Sequence, residues 1–255
     1  MRRRGWITRR NVSVYYRQLF EYNSRLVGEI LRRIPFTRFK RVVEFGSGSG
    51  LFTIPLMDEL YADVAEYIIV DPYNGPYIKD RESLARRLRE SGYSKKVRVH
   101  RVPVWEMGHK IKDADLAIGH DVFCDLTMDM VENSMMAGKE VLKEGGFFVH
   151  SGLSPNTSTP AERLLMKLDS QTSTPLVENN WFSPGSEFLF VVSKKTGFRD
   201  IAIHEVKIPL SLSGNDARSL LKDWNIKESA MERYSRKIDE IGIEFPKEQI
   251  LVCRK

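Results

Sequence analysis

Cysteine is nearly absent: Cys124 and Cys253 are the only two in 255 residues. Two thiols cannot build a disulfide framework or a thiolate metal cluster, and their scarcity fits a reducing cytosol. Both are expected as buried small hydrophobes. Long apolar runs are also missing, so membrane insertion is not expected. The basic start Met1-Arg2-Arg3-Arg4-Gly5-Trp6 is followed by no apolar stretch, so a signal peptide is not expected and a cytoplasmic location is. There is no internal repeat and no long low-complexity stretch.

Acidic residues are scarce near the start. From Arg2 to Arg41 only Glu21 and Glu29 oppose a run of arginines and Lys40, within a chain of net charge +6. A second basic cluster is Arg86, Arg87, Arg89, Lys95 and Lys96. Such a bias can attract phosphates, nucleic acid or an anionic membrane, but a solvated basic surface is the preferred reading, because aromatic residues are not strongly interleaved with it.

The most informative segment is Arg41-Val42-Val43-Glu44-Phe45-Gly46-Ser47-Gly48-Ser49-Gly50. It reads as a buried strand running into a glycine-rich turn. A second apolar strand, Tyr67-Ile68-Ile69-Val70, ends in Asp71-Pro72. Glycines allow close approach of a ligand to the backbone, and an acid at the next strand end can grip ribose hydroxyls. A dinucleotide turn wants Gly or Ala where Leu51 stands. That residue argues against a NAD(P)-dependent oxidoreductase and for an adenosine ligand.

Strand and helix then alternate. The pattern predicts a helix from about Val12 to Ile34 ended by Pro35, strands at Val42–Phe45, Tyr67–Val70, Val97–Val104, Asp115–Ile118 and Phe147–His150, and crossover helices at Leu51–Leu60, Arg81–Ser91 and Met128–Leu142. Beyond strand five it predicts helices from Ala161 to about Asp169 and from Ser183-Pro184 to Lys195, then a strand at Phe198–Val206. Helices at Asp216–Trp224 and Lys227–Ile241 and a last strand at Gln249–Cys253 complete the pattern. Alternation of this kind implies right-handed crossovers and a mostly parallel sheet covered on both faces, an α/β fold.

The strand, acid and G-x-G-x-G turn at Val42–Gly50, with Asp71 ending the next strand, resemble the class I S-adenosylmethionine-dependent methyltransferases. The likeness is good from Arg41 to His150 and looser to Lys255. It implies a Rossmann-like, mostly parallel seven-stranded sheet with an antiparallel last strand. It implies one domain over residues 1–255, with an N-terminal helical cap (1–40), a donor-binding core (41–153) and cap inserts at 154–182 and 211–245.

It also implies S-adenosyl-L-methionine as cofactor. Phe45, Gly46, Ser47, Gly48 and Gly50 would lie along the methionine and adenosine parts, Glu44 would meet the ammonium, and Asp71-Pro72 the ribose. Glu44 and Asp71 also read as ordinary loop-bracing acids. Trp105 and Glu106 stand where the family places an adenine contact, although its usual small residue and Asp are missing; Trp105 also reads as plain core.

Sheet topology puts Gly119-His120-Asp121, and then His150, at strand ends beside the glycine turn. His120 is the candidate general base and, near the transferable methyl, a candidate cofactor contact; it also reads as a histidine braced by Asp121 or holding a loop. No ligand spacing supports a metal. Tyr16 is expected in the core and Tyr15 open, Trp181 and Phe182 are candidates for an acceptor pocket, and Met128, Met130, Met135 and Met136 are expected as core filler.

The resemblance implies a methyltransferase that holds nucleophile, methyl and sulfur in line. No Asn/Asp-Pro-Pro-Tyr/Phe motif follows strand four and no cysteine pair suits C5 chemistry on RNA. A small-molecule acceptor is therefore expected. RNA is the alternative through the basic N-terminal region, and a non-catalytic S-adenosylmethionine-binding module is a third reading.

Overall fold

The structure, a computed structural model, describes residues 14–35, 38–74, 77–172 and 183–255. Five strands run β1 (Arg41–Phe45), β2 (Glu66–Val70), β3 (Val97–His100), β4 (Ala114–His120) and β5 (Leu142–Leu153). β6 (Arg199–Val206) and β9 (Glu248–Arg254) complete one sheet in the order β3-β2-β1-β4-β5-β9-β6. Its first five strands are parallel, and β9 runs antiparallel to β5 and β6. This is the predicted seven-stranded α/β fold. A short pair, β7 (Ser211–Leu212) with β8 (Ile243–Glu244), lies outside it and escaped the sequence pattern.

Side chains alternate between two apolar layers, which is why the central strands read as continuous hydrophobic runs. Val42, Tyr67, Ile69, Leu116, Ile118, Val149 and Ile250 face one layer. That layer is closed by α1 (Val14–Leu31), α2 (Thr53–Leu60), α3 (Asp80–Ser91), α5 (Pro160–Asp169), α7 (Gly214–Asp223) and α8 (Glu228–Ile241). Val43, Phe45, Val70, Ala117, Phe148 and Leu251 face the other, under α4 (Met128–Val141) and α6 (Ser186–Lys195).

Several boundaries differ from expectation for local reasons. β3 stops at His100, and Pro103 leads into a 3-10 helix at Val104–His109 instead of more strand, since Pro has no N–H for the ladder. β5 begins at once after α4, at Leu142, and its register slips before the stretch that pairs smoothly with β4. α6 starts at Ser186 behind an extended Gly185, so Ser183-Pro184 precede the helix and do not cap it. α5 carries a full capping box, Thr159 with Glu162, which fixes its start. The predicted start of α1 before Val14 lies outside the described residues.

The methionine and tyrosine expectations are partly corrected. Met135 is core, Met130 packs against it, and Met128 and Met136 are exposed. Tyr16 packs half-buried against the first layer, Tyr15 is the more deeply buried of the two, and both hydroxyls donate to Asp223 on α7. Cys253 is buried as expected, whereas Cys124 is half-buried. No helix among the described residues is long and apolar enough to cross a membrane.

Candidate active site

β1 leads into the glycine turn directly, and Gly46, Gly48 and Gly50 all have positive φ, at 67°, 48° and 86°. The three serve different purposes. A Cβ at Gly46 would collide with Val122 in the loop after β4, and one at Gly50 would lie 2.7 Å from Leu84 of α3. These two are needed for protein packing. A Cβ at Gly48 would meet only Asp80 Oδ2, at 3.7 Å. Gly48 is thus the point of the turn that a ligand can approach closely.

Asp71 follows β2, beside that turn. Its Oδ2 accepts the Gly48 N–H at 2.9 Å and its Oδ1 accepts the Tyr73 N–H at 2.9 Å. A carboxylate offers about four acceptor positions, so half its capacity is left for hydroxyls. Burial raises its pKa, against the two backbone bonds. Tyr73, at φ 47°, is buried with its hydroxyl 2.6 Å from Ser47 Oγ. Half-buried Pro72 separates them. No local pattern points to Tyr73, because a left-handed tyrosine is the product of tertiary packing.

Glu44 lies beneath the turn, 1% exposed. Its oxygens accept from Thr53 Oγ1 at 2.9 Å and Tyr67 Oη at 2.6 Å, so both are engaged in bracing β1 to β2 and α2. Burial lifts its pKa to about 7, against those hydrogen bonds. Phe45 sends its ring into the opposite layer, stacked on Phe148 at 5.4 Å, so only its backbone borders the turn.

Arg87 is the main correction to the basic surface. It is buried, donates to the Ser49 carbonyl inside the turn, and lies 5.6 Å over the Tyr16 ring. Lys96 likewise binds the Tyr61 and Val64 carbonyls. Arg86, Arg89 and Lys95 are exposed. Arg2, Arg3, Arg4, Arg9, Arg10, Trp181 and Phe182 lie outside the described residues.

His120 ends β4. Its Nδ1 lies 3.1 Å from Ser151 Oγ, its Nε2 lies 3.4 Å from Asp121 Oδ2, and Phe52 packs at 5.0 Å. The carboxylate favours a proton on Nε2, so Nδ1 accepts from the serine. His150 is a packing residue. It stacks on Phe123 at 3.8 Å, and its Nε2 accepts the Phe123 N–H at 3.3 Å. Burial, helped by His120, drives its pKa down to about 3, so it stays neutral. Trp105 packs half-buried against the second layer and Glu106 is exposed on the 3-10 helix.

The electrostatics at this edge of the sheet are acidic, opposite to the chain as a whole. Asp80 is pushed up to about 6 by burial and then by the Asp71 charge. Asp125 is also pushed up to about 6, by burial and, more weakly, by Asp121 and Asp71, while the Tyr77 hydroxyl 2.8 Å away opposes the rise. Among the described residues no group of three or more His, Cys, Asp or Glu side chains could hold a metal ion.

No family model and no curated protein sequence matches the chain. Its fold does match solved structures. It is similar to a cyclopropane-fatty-acyl-phospholipid synthase-like protein from Lactobacillus casei ATCC 334, with TM-score 0.71, 12% identity and 99% of each chain covered. It is similar to a SAM-dependent methyltransferase from Archaeoglobus fulgidus, with TM-score 0.54, 17% identity, and 95% of this chain and 100% of that one covered. An O-methyltransferase family protein from Burkholderia thailandensis gives TM-score 0.61 at 11% identity, covering 94% of this chain. This chain spans only 58% of that longer protein. These likenesses establish the Rossmann-like methyltransferase fold.

Proposed function

We propose that this chain is an S-adenosylmethionine-dependent methyltransferase acting on a small-molecule acceptor. The observation that carries the reading is the tie between Gly48 N–H and Asp71 Oδ2. It sets the one open glycine of the turn beside a carboxylate with acceptor capacity to spare. The Archaeoglobus fulgidus neighbour, a SAM-dependent methyltransferase, supports the same cofactor.

The residues present fit that group. Gly48 leaves room for it, Asp71 can take a ribose diol, and the acidic edge formed by Asp71, Asp80 and Asp125 suits a ligand with sulfonium and ammonium charges. When bound, S-adenosylmethionine supplies an already activated methyl group. The protein's part is to orient the acceptor and exclude water. Glu44 acts from below, keeping β1, β2 and α2 in register under the turn.

His120 holds or removes the acceptor's proton. An acceptor hydroxyl can replace Ser151 as the donor to Nδ1, and the imidazolium formed would then face Asp121 at Nε2. Of the two expected inserts, residues 154–172 and 211–245 act as a cap over the acceptor, and residues 173–182 lie outside the described residues.

Calorimetric titration with S-adenosylmethionine, S-adenosylhomocysteine and NAD tests this reading. Micromolar binding of the first two and none of NAD is expected. Preference for NAD, or no binding of the sulfur ligands, would overturn it.

A further inference from the structure

One stripe of α3 lies along the glycine turn. Asp80, Leu84 and Arg87 have the i, i+4, i+7 spacing that puts helix residues on one face. They meet Gly48, Gly50 and Ser49 respectively. Asp80 Oδ2 lies 3.7 Å from where a Cβ of Gly48 would sit, and Leu84 Cδ1 lies 2.7 Å from that of Gly50. Arg87 differs from the other two, because it also reaches α1.

Arg87 is 6% exposed. A buried guanidinium is costly unless its charge and its N–H groups find partners. It donates to the Ser49 carbonyl and lies 5.6 Å over the ring of Tyr16 on α1. Burial pulls its pKa down, and Tyr16 and then Asp80 oppose the fall. Tyr16 is itself held from the far side. Its hydroxyl donates to Asp223 Oδ2 at 2.9 Å, and the neighbouring Tyr15 donates to the same oxygen. Asp223 is the exposed last residue of α7. A continuous run of contacts thus joins α7, α1, Arg87 and the turn.

The turn is gripped at adjacent residues by opposite charges. Asp71 takes the Gly48 N–H and Arg87 takes the Ser49 C=O. Each contact orients one planar peptide group, and peptide orientation fixes the dihedrals beside it, including the Gly50 φ of 86°. A Gly-Ser-Gly-Ser-Gly segment has little preference of its own for such a shape. The grip at Ser49 depends on where the guanidinium is held, and Tyr16 holds it only while α1 is clasped to α7.

We propose that Arg87 is a positioning residue that couples the seating of α1 and α7 to the shape of the glycine turn, and so to donor affinity. Neither Asp223 nor Tyr16 has to touch the donor to influence it. Because such coupling is reciprocal, a donor held by the turn also favours the seated position of α1 and α7. This inference rests on the methyltransferase reading and adds a control on its donor site.

The test compares the full chain with Asp223→Ala, which removes the clasp at an exposed position, and Asp223→Glu, which keeps a carboxylate for the two tyrosines. Calorimetry gives the affinity for S-adenosylhomocysteine. Hydrogen exchange without ligand reports on the turn, since the Gly46, Gly48 and Gly50 amides are all hydrogen-bonded. In Asp223→Ala affinity should fall at least about fivefold, and the turn amides should exchange faster while those of β5 do not change. Asp223→Glu should recover both. Arg87→Lys should weaken binding by itself, and adding Asp223→Ala to it should cost little more, because both act on one path.

Parent affinity or parent turn exchange in Asp223→Ala would overturn the proposal, as would full additivity of the two variants. If Arg87→Lys does not fold, the two Asp223 variants decide alone. If the parent chain fails to bind S-adenosylhomocysteine, the methyltransferase reading falls, and turn exchange in Asp223→Ala still decides whether α7 and the turn are coupled.

Discussion

The Tyr73 hydroxyl lies 2.6 Å from Ser47 Oγ, which fastens the loop after β2 to the glycine turn after β1. Tyr73 is buried and left-handed, and its own N–H is taken by Asp71 Oδ1. One residue thus holds both the acid and the turn. In Tyr73→Phe the Ser47 hydroxyl loses its partner in a buried place. A stability loss of about 1 kcal/mol is expected, with weaker S-adenosylhomocysteine binding. Urea unfolding and calorimetry measure the two, and unchanged values for both would mean the contact is incidental.

Gly46 and Gly48 should separate packing from binding. Gly46→Ala drives a methyl group into Val122 and should destabilise the fold by a few kcal/mol. Gly48→Ala meets only Asp80 Oδ2 at 3.7 Å and carries left-handed strain of about 1 kcal/mol. It should fold and yet lose donor affinity. Chemical unfolding paired with calorimetry distinguishes them. A Gly48→Ala protein that binds normally would remove Gly48 from the site.

Stability should fall as pH rises from about 5 to 7. Burial raises Glu44 to about 7 and Asp80 and Asp125 to about 6. Over that range the folded chain therefore binds more protons than the unfolded one, and each carboxyl costs stability as it ionises. Glu44→Gln keeps an acceptor for Tyr67 or Thr53 and removes one ionisation. Its unfolding free energy should vary less between pH 5 and 8 than that of the parent chain, as urea titrations at each pH would reveal. An identical pH dependence would place the titration elsewhere.

His120→Asn should lower turnover by about 10²- to 10⁴-fold, the usual range for a lost general base, with any acceptor whose proton must leave. Donor affinity should stay as it was, since the ring contacts Ser151, Asp121 and Phe52 and not the glycine turn. Single-turnover kinetics with radiolabelled donor gives the rate. Undiminished turnover would leave His120 as a brace for Asp121.

Much of the proposed donor half of the site was legible because its signals are local. A glycine that must adopt positive φ, an acid at a strand end and a Leu in place of the third helix-packing glycine all lie within a few residues of the feature they report. What the local pattern missed are long-range partners. Glu44 read as a ligand for an ammonium or a loop-bracing acid, and its partners Thr53 and Tyr67 come from two other elements that no local pattern links to it. Arg87 read as surface charge, but it is buried against Ser49 and Tyr16. Helical periodicity alone could not tell Tyr15 from Tyr16, since the choice depends on where Asp223 of a distant helix arrives.

The sequence by itself determined the order of strands and helices, the glycine turn and Asp71. Hydrophobic period, proline and glycine are properties of neighbouring residues, and they dictate local backbone form wherever they occur. Only the tertiary structure decided which distant residues meet. β9 inserts antiparallel between β5 and β6, which sets Glu248 opposite Leu153 and Gln249 opposite Gly152. Tyr22 then reaches Glu248 across 226 positions of sequence. No local pattern encodes that meeting, because it follows from the register of one strand between two others and from the helix packed across their ends.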